Sequence, residues 1–224
     1  MNDYSFLMSL IREGEHQQQD FKYRVADACK LAKSVSAFAN TDGGRLLIGV
    51  RDDGYLSGVR SEEEIYMMHQ AAYKYCQPEA SIKFDTYHVA STSSATNRIP
   101  SGRAGLRTIV IATVPPSSKR PVFALDEEGK RRAYIRINDE NIVASPVHLA
   151  LWRESQKPQG AMMTYNDVIR LLLNAIQGQQ TLSQIVRLSC LPRPKVITLL
   201  ARLIRFGVIR WEYKGQQFIF SQAY

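Results

Sequence analysis

Three cysteines, four histidines and no long apolar run leave several function classes without support in this sequence. Cys29, Cys76 and Cys190 are odd in number, far apart and without C-x-x-C spacing, and His16, His69, His88 and His148 are equally scattered, so the chain has no zinc-ligand pattern. No apolar stretch approaches the roughly 20 residues of a membrane span. The first residues mix Asp3, Arg12, Glu13 and Glu15 with only a brief apolar stretch, unlike a targeting segment. G-x-x-x-x-G-K-[S/T] occurs nowhere, which removes the P-loop, and there is neither a fixed repeat nor a biased tract beyond Gln17 to Gln19. A protein of a reducing, cytoplasmic compartment with no membrane partner is expected.

What is present is a basic chain of 224 residues with a net charge of +8. That length accommodates two modest domains, each able to bury a core. The charge is uneven. From residue 160 onward eight basic residues face two acidic ones, Asp167 and Glu212, so this tail carries +6 and the rest only +2. A polyanionic partner for the tail is one reading, and a solvated basic surface is the other.

Hydrophobic period and turn chemistry predict an amphipathic helix over residues 4–13, a strand over 18–23 and a long helix lined by Ala28, Leu31, Ala32, Val35, Phe38 and Ala39, stopped by Gly43 and Gly44. Residues 45–50 read as a buried strand turned by Asp52-Asp53-Gly54 into a hairpin over 55–59. Ser61 and Glu64 have capping-box spacing for a helix to about Tyr75. Strands are expected over 81–89, 106–114, 122–125 and 132–137, with a mobile Ser/Thr/Gly-rich loop over 91–105. Ser145-Pro146 opens a helix that ends near Gln156. Lys157-Pro158-Gln159-Gly160 reads as a linker, placing domains at 1–156 and 161–224.

The second domain reads as a helix over 164–176, a short helix capped by Thr181 and Gln184, a third helix over 195–206 closed by Gly207, and two strands around Tyr213-Lys214-Gly215. That order is a winged helix-turn-helix, and the run Leu203-x-x-x-Gly207-Val208-Ile209 resembles the helix-to-wing junction of winged-helix regulators. Such a third helix enters the DNA major groove. Val196, Leu200 and Leu203 form its core stripe, leaving Arg193, Lys195, Thr198, Arg202 and Arg205, with Lys214 at the wing tip, for phosphate or base contact. Ile197, Leu199 and Ile204 make the helix apolar on a further side, which predicts a homodimer.

Upstream, Glu15-His16-Gln17-Gln18-Gln19-Asp20-Phe21-Lys22, then Ser36-Ala37-Phe38-Ala39-Asn40-Thr41-Asp42-Gly43-Gly44, Leu47-Ile48-Gly49-Val50-Arg51-Asp52-Asp53-Gly54 and Tyr134-Ile135-Arg136-Ile137-Asn138, together resemble the Schlafen AlbA domain. Two departures stand out: Asp20 replaces the usual glutamate, and Asn138 stands where glycine is commoner. The resemblance implies an α+β fold, a mixed sheet with flanking helices followed here by the small winged helix. It also implies nucleic-acid binding, with RNA cleavage in some animal members.

Chemically, Glu15, Asp20, Asp52 and Asp53 are a candidate carboxylate set for Mg²⁺ or Mn²⁺, and Glu15, Asp20 and Lys22 would be the catalytic group of a metal-dependent ribonuclease. The plainer alternative makes Asp52-Asp53-Gly54 a turn, Glu15 a loop charge and Asp20–Lys22 an ion pair. Asp20 draws its oxygens back by about one methylene relative to glutamate, which loosens a metal site. Gly43 and Gly44 follow a helix instead of preceding one, so they form no phosphate cradle. The leading expectation is therefore a DNA-binding regulator with no cofactor, contacting nucleic acid through Lys22, Arg136, Arg193, Lys195, Thr198, Arg202 and Lys214. RNA is a second candidate ligand, and a protein-interaction module is a third reading.

Overall fold

A computed structural model describes residues 3–90, 106–158 and 166–223. The chain divides into two compact units, Met1–Val143 and Ala144–Tyr224. Among the described residues no helix is long and apolar enough to cross a membrane.

The first unit runs α1 (Asp3–Glu13), β1 (Gln19–Lys22), α2 (Ala28–Asn40), β2 (Gly44–Ile48), α3 (Ser61–His69) with a π-helical turn at Gln70–Lys74, β3 (Cys76–Gln77), β4 (Lys83–Ala90), β5 (Leu106–Val114), β6 (Phe123–Leu125), β7 (Arg131–Ile137) and β8 (Glu140–Val143). One sheet has the order β1-β2-β5-β4, with β1 parallel to β2 and the other pairs antiparallel. The second has the order β3-β6-β7-β8. The second half of β2, Leu46-Leu47-Ile48, is apolar without interruption because both its faces are covered. Leu46 and Ile48 pack into the cluster built on α2, whereas Leu47 packs with Leu7 and Leu10 of α1 and with Phe21, Ile109 and Ile111.

The mixed α+β class follows expectation, and several local assignments need correction. Among the described residues no strand forms over 49–59, and the expected hairpin is reduced to one bridge between Val50 and Leu56. β2 already has β1 and β5 on its two edges, so the returning segment has no place in the sheet. Gly49, at φ 96°, instead uses its carbonyl to receive Ser57 and Gly58 N–H groups. The Ser61–Glu64 capping box does not form: Arg60 is the N-cap, without a side-chain capping bond, and the buried Glu64 accepts the Val25 N–H at 2.8 Å. Unforeseen β8 follows a turn in which Asn138 takes φ 55°, a region asparagine tolerates best after glycine. The 91–105 loop lies outside the described residues.

The second unit contains α4 (Pro146–Ser155), α5 (Asp167–Ala175), β9 (Gln180–Thr181), α6 (Leu182–Ser189), α7 (Arg193–Arg205), β10 (Ile209–Lys214) and β11 (Gln217–Gln222). β10 and β11 form an antiparallel hairpin, and the unforeseen β9 adds to β11. Capping boxes start α4 through Ser145 and His148 and α6 through Thr181 and Gln184. The compact units part before α4, not after it, because α4 packs against α7. The core combines Val147 of α4 with Ile169, Leu172, Ile185, Val196, Leu200, Leu203 and Phe220. Ile197, Leu199 and Ile204 are half-buried against that same core, so their apolar character is used within the unit.

Candidate functional site

β1 carries the acidic motif at the edge of the first sheet, and its alternation turns Asp20 inward. Asp20 keeps only 4 % of its surface exposed. Lys22 places Nζ 2.7 Å from Asp20 Oδ2 and donates to the Phe21 carbonyl, while Arg136 of β7 brings Nη2 to 3.5 Å from Asp20 Oδ1. Glu15 joins the pair: its Oε1 accepts the Phe21 N–H at 2.8 Å. Burial, and then the hydrogen bond with Asp20, hold the Glu15 pKa above the usual carboxylate range, against the lowering pull of the Phe21 N–H and Lys22. Glu15, Asp20 and Lys22 therefore lie together, with Asp20 and Lys22 in the ion pair of the plainer alternative.

Arg136 departs from expectation. It is 2 % exposed and so is no surface contact for nucleic acid. Its Nη2 donates to the Gln19 carbonyl at 3.2 Å and reaches that of His16 at 3.5 Å, Nη1 donates to Asn141 Oδ1 at 3.1 Å, and its guanidinium lies 5.2 Å from the Phe38 ring centre. A planar fork whose Nη1 and Nη2 bond in several directions is a brace between the two sheets. The surrounding polar residues work alike. Gln17 bonds the Arg136 carbonyl and the Asn138 N–H, each at 2.8 Å, and Asn40 bonds the carbonyls of Val122 and Tyr134.

Asp52 and Asp53 do not join this cluster. They sit exposed on their turn, where Asp53 Oδ1 accepts the Tyr55 N–H at 3.0 Å. Among the described residues no three histidine, cysteine, aspartate or glutamate side chains are grouped as a metal ion needs. With Asp20 already engaged by two cations, the donor set does not fit Mg²⁺ or Mn²⁺.

In the second unit, Arg193, Lys195 and Thr198 are exposed on the first turns of α7. Lys195, Thr198 and Arg202 recur at helical spacing, yet Arg202 is held by Glu154 of α4 at 3.2 Å. Arg205 binds backbone carbonyls of Glu154 and Lys157. Lys214 pairs with Glu212 at 2.5 Å. The Arg202 and Lys214 charges are thus locally compensated, whereas Arg193 and Lys195 stand in no ion pair among the described residues.

Sequence reasoning missed a second polar surface on the first unit, where Arg24, Arg51 and Arg107 stack on the exposed rings of Tyr23 and Tyr55. The runs Lys22-Tyr23-Arg24 and Arg51-x-x-x-Tyr55 were its only signal, an aromatic interleaved with cations on each side of β2.

The family model described as Schlafen, AlbA_2 matches residues 15–145, more than half of the chain. None of the curated proteins matches the sequence. Among solved structures, the DIP2311 protein from Corynebacterium diphtheriae is similar at a TM-score of 0.40 and 19% identity, over 70% of this chain and 29% of that one. The chain thus spans under a third of that protein's length, and at this level of similarity nothing further follows from it.

Proposed function

This chain belongs to the Schlafen AlbA_2 family, and on that premise we propose that it binds nucleic acid and acts on duplex DNA as a transcription regulator, with Ala144–Tyr224 as a winged helix-turn-helix. The order α5, α6, α7 and the β10–β11 hairpin supports the motif assignment. The single observation that carries DNA binding is the split character of α7. Val196, Leu200 and Leu203 are buried, while Arg193, Lys195 and Thr198 face solvent with both charges unpaired among the described residues. Because α4 holds Arg202 and Arg205, groove contact falls to the first two turns of α7, the part of a recognition helix that meets base edges. A homodimer belongs to the same proposal, resting on the exposed Leu171, Leu188 and Phe206 in place of Ile197, Leu199 and Ile204.

Fluorescence anisotropy of the full chain with labelled duplex DNA tests the reading. The Arg193→Ala/Lys195→Ala variant should bind at least tenfold more weakly. It should also flatten the dependence of log affinity on log salt by about 1.8, roughly 0.9 for each phosphate no longer neutralised. Unchanged affinity and slope would remove α7 as the DNA-binding surface.

The ribonuclease reading has one favourable observation, the meeting of Glu15, Asp20 and Lys22. Its metal-ligand set is not assembled among the described residues, and no hydrolytic step is derived from it.

A further inference from the structure

Five planar side chains alternate across the surface beyond the ends of β1 and β2, outside the acidic cluster. The Arg24 guanidinium lies 6.0 Å from the Tyr23 ring centre, that of Arg51 5.2 Å from Tyr23 and 5.2 Å from Tyr55, and that of Arg107 4.9 Å from Tyr55. Arg107 also donates to the Tyr55 hydroxyl at 2.9 Å and to the Leu56 carbonyl. A core does not require this arrangement: Tyr23 and Tyr55 each keep 47% of their surface exposed. None of the three arginines is in an ion pair among the described residues. Three guanidinium groups in no ion pair among the described residues, interleaved with two exposed rings, offer charge to an anion and ring faces to a flat partner at once.

Beside the ladder opens a cleft of about 580 Å³ walled by Arg24, Arg60, Arg107, Ser57 and Thr108. That volume lies within the roughly 300–1,000 Å³ of ligand pockets. Its two carboxylates are already accounted for. Glu63 pairs with Arg60 at 3.1 Å, and the buried Glu64 receives the Val25 N–H. Asp52 and Asp53 share the opposite flank with Tyr23 and Arg51, which repels phosphate there and favours the Arg24–Arg107 side.

Resting on the nucleic-acid reading above, we infer that this ladder and cleft bind single-stranded nucleic acid. Unpaired bases stack on Tyr23 and Tyr55, and phosphates meet Arg24 and Arg107. An entering strand replaces one arginine–ring stack with two interactions, guanidinium to phosphate and base to ring. A duplex cannot make the second, because its base faces are already stacked on each other. An acidic polypeptide has charge for the arginines but nothing flat for the rings.

The test is anisotropy of the full chain with short fluorescein-labelled single strands, RNA and DNA, and with the matching duplex. Tyr23→Ala/Tyr55→Ala should weaken single-strand binding about tenfold or more. Tyr23→Phe/Tyr55→Phe, which keeps the rings, should restore most of it. Arg24→Gln should flatten the single-strand salt dependence by about 0.7. Duplex binding should persist in all three, while Arg193→Ala/Lys195→Ala should show the reverse pattern. Circular dichroism matching the wild type establishes that the exposed tyrosines were replaced without unfolding. If the wild type holds single strands and the alanine pair holds them equally well, the ladder is wrong and the nucleic-acid reading stands. Equal loss of single strand and duplex, or displacement of the single strand by polyglutamate as readily as by polyuridine, overturns the single-strand assignment. A wild type that binds neither probe overturns both proposals.

Discussion

Replacing Arg136 by leucine separates a buried brace from a ligand-binding group. In the folded unit its guanidinium is surrounded by the Gln19 and His16 carbonyls, Asn141 Oδ1, the Asp20 carboxylate and the Phe38 ring, with 1% of the side chain exposed. Leucine fills much of the volume and answers none of the polar groups. Removing one partner of a buried ion pair costs about 3–5 kcal/mol, chiefly because the other charge is left without compensation. Asp20 would retain Lys22, whose side chain is 36% exposed, so the lower end, about 3 kcal/mol, is expected. Arg136→Lys should restore little, since one ammonium cannot reach Asn141 on one side and the strand carbonyls on the other. Urea denaturation followed by far-ultraviolet circular dichroism is the assay. Tryptophan fluorescence is a poor choice for it, because Trp152 and Trp211 both lie in Ala144–Tyr224. An Arg136→Leu protein within about 1 kcal/mol of the wild type would refute the brace. So would one that keeps its stability and loses nucleic-acid affinity.

His148 predicts a pH dependence in the second unit. Its ring is 4% exposed and edge-on to Trp211 and Phe218, and burial lowers its pKa from 6.5 to about 4. The folded value lies below the unfolded one, so this contribution is fully present above pH 6.5 and is lost as pH falls through about 4, reaching about 3.5 kcal/mol at roughly 1.4 kcal/mol per unit. Thermal melts between pH 7 and pH 4 followed by tryptophan fluorescence should slope accordingly, and His148→Gln, which keeps an acceptor for the Ser145 cap, should flatten the slope. For association, light scattering at tens of micromolar should give twice 25.4 kDa, with Leu188→Glu/Phe206→Glu returning it to the single-chain mass. Ile197→Glu should instead unfold the second unit, since that side chain packs against its own core.

Helical and strand periodicity made much of this fold readable, because both cores are ordinary apolar packings: α2, β2, β5 and α7 fall within two or three residues of their expected limits. The misses share one cause, tertiary context. Glu64 has the right spacing for a cap but is drawn to the Val25 N–H, and the turn at 52–54 has hairpin chemistry but no free sheet edge to return to. The apolar surplus of α7 was visible, and its partner was not, because nothing local says that α4 will lie against it. At the site, Glu15, Asp20 and Lys22 lie together because β1 and the turn before it carry all three, a proximity that both the metal-site and the ion-pair readings shared. Arg136 was placed by charge alone, and charge cannot distinguish a buried guanidinium from a surface one. The Tyr23–Arg51–Tyr55 ladder was illegible for the converse reason, since its members belong to segments that only the parallel pairing of β1 with β2 brings side by side.

The family motif thereby acquires a division of labour. Gln17, Asn40 and Arg136 direct their polar groups inward, to the turn after β7, the backbone of β6 and β7, and the edge of β1. Gly44 has no room for a side chain, because a Cβ there would run into the Phe38 ring. Residues so placed fix how the two sheets of the unit meet, and altering one strands a buried donor or acceptor at a cost of about 1–3 kcal/mol each. Arg24, Arg51, Tyr55, Arg193 and Lys195 carry no such obligation. Their polar or planar groups face solvent, and replacing them leaves no buried group without a partner. Ligand preference can therefore change at these exposed positions while the motif keeps the frame, so membership of the family fixes the scaffold more tightly than it fixes what the scaffold holds.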